Sequence, residues 1–333
     1  MNNYSALQRF LHRTVLSSQL IREIMFDVEK SIFLIKDVNF NDNHVFVAGL
    51  ARSGTTVLLN AIYQSDQFAS LTYDDMPFIL APNFWKKISP RKSHGKLQER
   101  AHGDSIRVST NSPEAFEEVF WKTFTDDLKI REELFVKFIS LILKKNNKTH
   151  YLSKNNQNIR RLVLISEIFP RSKILIPFRD PLQQAFSIYS QHMKFVKEQN
   201  EDAFVRDYMK WIGHCEFGLD YRMIHSSNLM YPIEKEFNHW LEQWYLTYKS
   251  VLELSTKHEE FYLIRYESLC DNPKVWVNVK DLLGINQEIN FLFKETKKVI
   301  GQTFDNNLSD KCYRLYESLV SQANQPSTMI NNL

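Results

Sequence analysis

The sequence predicts an α/β fold in which a central, mainly parallel β-sheet is covered by helices on both faces, giving three layers. Two observations predict it. Short apolar runs typical of buried strands alternate with longer segments of helical periodicity, and no internal repeat interrupts that alternation. The strand-like runs are residues 45–48, 151–154, 173–178 and 261–264.

Apolar residues at three- and four-residue steps predict the helices. In residues 4–35 approximately, this spacing indicates one or two amphipathic N-terminal helices. Other helical segments are 57–62, 114–144, 159–168 and 181–197. The polar stretch from about 86 to 113 is predicted to be a cap or loop over a site, because the segments on both sides resemble parts of one α/β unit. We therefore predict a single domain over residues 1–333.

Composition excludes several classes of protein. Hydrophobic residues make up 43% and charged residues 24% of 333, which suffices for a buried core and excludes a disordered chain. A net charge of +3 does not indicate a nucleic-acid partner. Three widely spaced cysteines fit neither a disulfide framework nor a zinc site. With no signal peptide or membrane span in the pattern, we expect a soluble, cytoplasmic protein; its oligomeric state is open.

The loop after the first strand, GLARSGTT at residues 49–56, is the most informative segment. A strand leads into it and a helix follows, so backbone N–H groups of the loop and of the helix N-terminus converge on one point. Such a point binds phosphate or sulfate oxygens, and the helix dipole strengthens the attraction. Glycines allow close backbone approach, hydroxyls donate, and an arginine adds a charged planar fork. The expected anion-binding residues are Arg52, Ser53, Gly54, Thr55 and Thr56.

The loop differs from the nucleoside-triphosphate loop GxxxxGK[ST] at one position. Gly49 and Gly54 match its glycine spacing, but Thr55 stands where the lysine normally reaches the terminal phosphates, which disfavours ATP hydrolysis. Residues 52–56 instead resemble the 5′-phosphosulfate-binding loop of sulfotransferases that use 3′-phosphoadenosine 5′-phosphosulfate (PAPS). That loop carries Lys or Arg before Ser-Gly-Thr-Thr. The resemblance implies a P-loop-like fold and PAPS as co-substrate.

A second anion-binding element follows the strand at 173–178. Arg179 ends the strand, Asp180 suits a helix N-cap, and Pro181 suits the first helical position. Ser187 lies eight residues beyond Arg179, so the two side chains can hold one phosphate between them. Sulfotransferases have an Arg…Ser pair at this separation that binds the 3′-phosphate of the nucleotide, which is the role that the resemblance implies here.

The resemblance extends over about residues 44–275 but is specific only at these two elements. Lys154 falls where family members place a lysine near the transferred sulfonate, and Tyr266, in RYESL, would stand near the nucleotide or in the core. There are also departures. No arginine-lysine-glycine loop occurs near the C-terminus, and 301–311 corresponds to it by position alone. Asparagines follow Lys154 where a general-base histidine would stand.

Sulfonate transfer needs a base for the acceptor hydroxyl and positive charge around the transferred group. Arg52 and Lys154 can supply the charge, and we expect no metal. For the base we rank Asp75 first and His102 second, because a buried carboxylate or a histidine can take a proton near neutral pH. Both residue types also have ordinary structural roles. His214 and Glu216 are the next candidates.

These observations together predict a PAPS-dependent sulfotransferase whose acceptor hydroxyl belongs to a carbohydrate or a small metabolite. A P-loop kinase or other phosphotransferase is the alternative enzyme class, disfavoured by Thr55. A non-catalytic nucleotide-binding protein is the third possibility. The sequence identifies neither the acceptor nor the oligomeric state.

Overall fold

A parallel sheet of five strands forms the centre of the computed structural model, in the order β2-β5-β1-β6-β7. The structure describes residues 5–34, 42–89, 98–99, 107–124, 128–225, 236–295 and 297–324. A separate antiparallel pair, β3 with β4, lies apart from the sheet. The strands are β1 (Val45–Val47), β2 (Phe68–Ala69), β3 (Gln98–Glu99), β4 (Arg107–Val108), β5 (His150–Lys154), β6 (Lys173–Phe178) and β7 (Phe261–Arg265).

Thirteen α-helices occur in the part of the chain that the structure describes, together with short 3-10 turns at Tyr73–Asp75 and Asn156–Arg160. The helices are α1 (Ala6–Ser17), α2 (Gln19–Phe33), α3 (Thr55–Tyr63), α4 (Pro82–Ile88), α5 (Glu118–Thr123), α6 (Leu128–Asn146), α7 (Leu162–Ile168), α8 (Pro181–Glu201), α9 (Ala203–Trp211), α10 (Phe237–Ser255), α11 (Tyr266–Asp271), α12 (Pro273–Leu283) and α13 (Asn306–Ala323).

Both faces of the sheet are buried, because successive residues of a strand point to opposite faces. On β1, Phe46 joins one hydrophobic cluster while Val45 and Val47 join another. On β6, Ile176 belongs to the first cluster and Leu175 to the second. Helices cover each cluster: α6, α8 and α10 contribute to the first, and α3 and α12 to the second. The predicted three-layer α/β fold is confirmed.

The carboxyl ends of the strands bring the predicted binding residues to one edge of the sheet. β1 is central, with β5 on one side and β6 on the other, and Val47 is in register with both Lys154 and Leu175. The chain therefore leaves β1, β5 and β6 at the same edge. Ligands of open parallel sheets bind at this edge, where the connections from a central strand diverge to opposite sides.

The predicted elements agree with the structure in most places. Two N-terminal helices, α1 and α2, lie within the expected stretch, and α8 begins at Pro181 with Asp180 as its N-cap. The helix expected over 159–168 begins later, because the 3-10 turn ends at Arg160. Most of the predicted cap lies outside the described residues. None of the helices described is long and apolar enough to cross a membrane. The number of domains stays a prediction.

Candidate active site

The loop between β1 and α3 has an unusual backbone. Arg52 has φ of 68° and Gly54 has φ of 100°, both in the left-handed region. A non-glycine residue rarely adopts this conformation, and strain of this kind concentrates at ligand-binding loops. A Cβ atom at Gly54 would lie 2.3 Å from Cδ2 of Tyr266, so only glycine fits between the loop and that ring. The loop is therefore shaped by its glycine and packed tightly against α11.

Helix α3 begins directly after this loop with two threonines. Thr55 and Thr56 are buried, and the N-cap residue is Gly54, which has no side chain to cap the first turn. The N–H groups of a first turn have no partner within the helix, and the helix dipole places partial positive charge there. The loop and the start of α3 together form the kind of backbone geometry that receives a phosphate or sulfate group.

Arg52 connects this loop to the second predicted element. Its Nε donates to Oγ of Ser187 on α8 at 3.1 Å. The Arg179 guanidinium carbon lies 5.8 Å from the ring centroid of Tyr266, the same ring that packs on Gly54. The two elements, more than 100 residues apart in the chain, thus share one site.

The start of α8 is fixed by carboxylates beside Arg179. Asp180 Oδ1 accepts from the Gln183 backbone N–H at 2.9 Å, as the predicted N-cap should. Glu267 Oε1 accepts from the Asp180 backbone N–H at 2.8 Å, and Asp180 Oδ2 accepts from Tyr313 Oη at 3.0 Å. These bonds hold the backbone next to Arg179, which is 9% exposed.

Lys298 is a third cation at the site that sequence reasoning missed. Its backbone N–H donates to Gln183 Oε1 at 2.8 Å, and Gln183 Nε2 donates to its carbonyl at 3.0 Å. Partial burial of the ammonium, and then the charges of Arg52 and Arg179, lower the pKa of Lys298. Arg52 and Arg179 therefore repel the Lys298 ammonium, and a bound anion would relieve that repulsion. The basic run KETKK in the sequence, which ends at Lys298, could have indicated this cation.

Lys154, at the end of β5, pairs with a carboxylate that the sequence did not single out. Its Nζ lies 3.9 Å from Glu114 Oε1, and the two side chains are 7% and 4% exposed. Glu114 Oε2 also accepts from Tyr73 Oη at 2.9 Å, and its Oε1 accepts from the Ala115 backbone N–H at 2.9 Å. Glu114 thus holds the Lys154 ammonium at the carboxyl edge of the sheet.

Asn156 links the loop to a second carboxylate. Thr55 Oγ1 donates to Asn156 Oδ1 at 3.3 Å, and Asn156 Nδ2 donates to Glu216 Oε1 at 3.3 Å. Asn156 follows Lys154 closely, in the stretch where the expected histidine is missing. A chain of hydrogen bonds therefore runs from the first turn of α3 to Glu216.

Asp75 is buried, 1% exposed, in a different set of contacts. Its Oδ1 lies 2.6 Å from Lys145 Nζ on α6. Its Oδ2 accepts from the Thr72 backbone N–H at 2.9 Å and from Thr72 Oγ1 at 3.2 Å. These are the contacts of a carboxylate that caps a turn and pairs with a buried lysine. Its predicted role as the base stays a prediction.

The two histidine candidates for the base are His102 and His214. His102, with its neighbour Asp104, lies outside the described residues. His214 is half-buried, and its Nε2 lies 3.0 Å from the Ala115 carbonyl oxygen. That bond packs the segment before Glu216 against the segment that carries Glu114.

A cleft of about 370 Å³, including its open mouth, lies beside the loop and next to α8. Leu50, Ala51 and Ile188 line the side nearest Arg52 and Ser187, and Asn156 and Glu216 line the cleft as well. Gly54 packs against Tyr266, whereas the cleft is lined by residues earlier in the same loop. The loop thus contacts the Tyr266 ring and an adjacent cleft through different residues.

The described residues contain no group of three or more His, Cys, Asp or Glu side chains arranged to hold a metal ion.

The sequence model of a sulfotransferase family matches residues 44–230, more than half of the chain. This range includes both predicted anion-binding elements as well as Lys154 and Glu216. The chain belongs to the sulfotransferase family.

Comparison with solved structures finds similar sulfotransferases at low sequence identity. One from Mycobacterium tuberculosis H37Rv has a TM-score of 0.48 and 11% identity, covering 98% of this chain and 85% of its own. One from Mycobacterium avium has a TM-score of 0.48 and 11% identity, and the match covers 95% of this chain and 78% of that protein. One from Alicyclobacillus acidocaldarius has a TM-score of 0.40 and 16% identity, covering 87% and 96%. Comparison with curated proteins finds no match.

Proposed function

We propose that this sulfotransferase transfers a sulfonate group from PAPS to a hydroxyl acceptor. The observation that carries the proposal is the convergence of Arg52, Arg179 and Lys298, joined by the contact between Arg52 and Ser187. PAPS has anionic groups at both its 5′ and 3′ positions. Two anion-binding elements that share one site suit such a nucleotide.

Each element has a separate role in this proposal. The loop from Arg52 to Thr56 holds the 5′-phosphosulfate with its backbone N–H groups and hydroxyls. Arg179 and Ser187 hold the 3′-phosphate, and Lys298 adds charge beside Arg179. The Tyr266 ring lies against Gly54 and forms a wall for the nucleotide.

The reaction is an in-line displacement at sulfur. The acceptor oxygen forms a bond to sulfur while the bond between sulfur and the 5′-phosphate oxygen breaks, and the electron pair leaves on that phosphate. Arg52 and Lys154 stabilise the charge that develops on the transferred group and on the leaving phosphate. A base takes the hydroxyl proton; from the sequence, Asp75 and His102 are proposed for this step. From the sequence the acceptor is proposed to be a carbohydrate or small metabolite.

Calorimetric titration tests the donor. We expect 3′,5′-adenosine bisphosphate, the product nucleotide, to bind more tightly than ATP with Mg²⁺. Preference for Mg-ATP would favour a kinase or phosphotransferase instead. Binding of the bisphosphate with no sulfonate transfer to any acceptor would favour a non-catalytic nucleotide-binding protein.

Arg179→Ala tests the assignment of the 3′-phosphate. We expect affinity for the bisphosphate to fall by about 1.5–3 kcal/mol, the scale of a hydrogen bond to a charged group. The loss should be smaller for adenosine 5′-phosphate, which gives Arg179 no phosphate to bind. Arg171→Ala is the control, because Arg171 is exposed and precedes β6 at the opposite end of that strand. Equal losses for both nucleotides would contradict the assignment.

A further inference from the structure

The cleft beside the loop has mostly apolar walls. Leu50, Ala51 and Ile188 form the wall near the loop, and Ile224 and Trp240 contribute to the rest. Ala51 immediately precedes Arg52, and Ile188 immediately follows Ser187. A molecule in this cleft would therefore lie next to the residues proposed to hold the phosphosulfate.

Most polar side chains that line the cleft already bind other protein groups. Gln243 Oε1 accepts from the backbone N–H groups of Ile224 and His225, at 3.1 and 3.0 Å, and its Nε2 donates to the His225 carbonyl at 2.9 Å. Tyr221 Oη lies 2.7 Å from His239 Nε2. Asn156 bonds to both Thr55 and Glu216. These groups offer a bound molecule few hydrogen bonds.

Glu216 can still accept a hydrogen bond. Its Oε1 accepts from Asn156, and among the described residues no hydrogen bond to its Oε2 is found. Arg222 also lines the cleft and is exposed to solvent. The cleft thus combines apolar walls with one half-buried carboxylate, and that carboxylate is connected through Asn156 to the first turn of α3.

We propose that this cleft is the acceptor pocket and that it takes a hydroxyl carried on an apolar ring system, in place of the sugar predicted from the sequence. We propose also that Glu216, in place of Asp75 or His102, accepts the hydroxyl proton. The proposal rests on the proposed function. The acceptor proton passes to Glu216 Oε2, the acceptor oxygen bonds to sulfur, and the sulfur–oxygen bond to the 5′-phosphate breaks. Glu216 then releases the proton to solvent.

The choice of an apolar acceptor follows from the cost of desolvation. A sugar in this cleft would lose water from several hydroxyls, and a hydroxyl buried without a partner is strongly disfavoured. An apolar ring loses no hydrogen bonds there and gains from burial against Leu50, Ile188 and Trp240.

The choice of Glu216 over the other carboxylates follows from their contacts. Glu114 is almost fully buried beside the Lys154 ammonium, and an ion-paired carboxylate is the weaker base. Asp75 is paired with Lys145 and bonded to Thr72. Glu216 is half-buried and lines the cleft itself.

The first experiment measures acceptor binding directly, without turnover. Protein loaded with 3′,5′-adenosine bisphosphate is titrated in a calorimeter with 4-phenylphenol and, separately, with methyl glucoside. We expect 4-phenylphenol to bind and methyl glucoside to bind at least tenfold more weakly. Ile224→Asn places an amide in the wall and should weaken 4-phenylphenol binding about tenfold, while bisphosphate affinity is unchanged. Leu219→Asn, at an exposed position of the same segment, should change neither the affinity for 4-phenylphenol nor that for the bisphosphate.

The second experiment tests Glu216 by its kinetics with PAPS and 4-phenylphenol. Glu216→Gln keeps an oxygen for Asn156 and removes the basic group, so kcat should fall about 10²–10⁴-fold with KM and bisphosphate affinity within twofold. The acidic limb of the kcat profile against pH should disappear. No binding of 4-phenylphenol, tighter binding of methyl glucoside, or normal kcat in Glu216→Gln would each overturn the proposal. Failure of the bisphosphate to bind would instead overturn the proposed function.

Discussion

Arg52 Nε and Ser187 Oγ lie 3.1 Å apart, although 135 residues separate them in the sequence. The loop after β1 and the first turns of α8 are therefore assembled into one site by the fold itself. A nucleotide that binds both elements does not have to bring them together, which lowers the entropic cost of binding. The contact also orients the Arg52 guanidinium, whose backbone already adopts the left-handed conformation.

Lys298→Ala should weaken binding of 3′,5′-adenosine bisphosphate about two- to fivefold, because an exposed cation contributes up to about 1 kcal/mol. The salt dependence of binding should also become shallower, since one cation fewer attracts the nucleotide. Isothermal titration at two salt concentrations measures both effects.

Lys297→Ala is the matched control for Lys298. Lys297 is exposed and pairs with Glu295 at 3.6 Å. If the two variants weaken binding equally, general charge and not the position beside Arg179 explains the effect.

Gly54→Ala should weaken nucleotide binding at least tenfold. The new Cβ would meet Tyr266 Cδ2 at 2.3 Å in a backbone with φ of 100°, so the loop or the ring must move. Gly284→Ala is the control, because Gly284 also has positive φ, at 66°, but nothing lies within 4 Å of its Cβ position. It should lower the free energy of unfolding by about 1–2 kcal/mol and leave nucleotide affinity unchanged. Equal affinity in both variants would show that contact with Tyr266 does not shape the site.

The sequence predicted those parts of the site that depend on consecutive residues. Four of the five strands of the sheet were recognisable as apolar runs, because both faces of this sheet are buried; β2, with two residues, was not. The loop at 49–56 and the cap formed by Asp180 and Pro181 are local patterns, so their geometry follows from neighbouring residues. The parallel sheet then brings the ends of β1 and β6 together.

The parts that the sequence did not predict depend on contacts between distant segments. Glu114 and Lys154 form an ion pair although 40 positions separate them in the sequence. Lys298 and Gln183 are hydrogen-bonded across a separation of 115 positions. No spacing rule connects such residues. Lys298 lies just before residues 301–311, the stretch that corresponds by position alone to the arginine-lysine-glycine loop of the family. Glu216 was considered, but only the structure connects it to Asn156 and the cleft.

Asp75→Asn should lower the free energy of unfolding by about 3 kcal/mol, because removing one partner of a buried ion pair leaves the other charge uncompensated. Lys145 is 13% exposed and 2.6 Å from Asp75, so it has limited access to water. Urea unfolding of the single variant and of Asp75→Asn/Lys145→Met measures the effect. The double variant should recover part of the loss.

The same variant tests the role predicted for Asp75 from the sequence. If Asp75 takes the acceptor proton, kcat should fall about 10²–10⁴-fold in folded protein. A large loss of stability with kcat nearly unchanged would assign Asp75 to the structure alone.

His44 gives the fold a dependence on acid. Its side chain is 1% exposed, and Nδ1 accepts from the Tyr151 backbone N–H at 3.2 Å, which requires the neutral ring. Burial, and then the nearby His150, lower its pKa from 6.5 to about 4, against a smaller opposite effect of Asp42. Between these pH values the unfolded chain binds a proton that the folded protein excludes. The contribution of neutral His44 to the free energy of unfolding is therefore fully present above pH 6.5, and it is lost as the pH decreases towards 4.

We expect the free energy of unfolding to decrease by about 3 kcal/mol across this interval from His44 alone, at about 1.4 kcal/mol for each unit of pKa difference. Urea unfolding at several pH values between 7 and 4 measures the slope. His44→Asn removes the titrating ring and retains an oxygen that can accept from Tyr151, so it should flatten the curve in this interval. An unchanged slope in that variant would mean that other groups cause the acid sensitivity and that the His44 ring is protonated in the folded protein at higher pH.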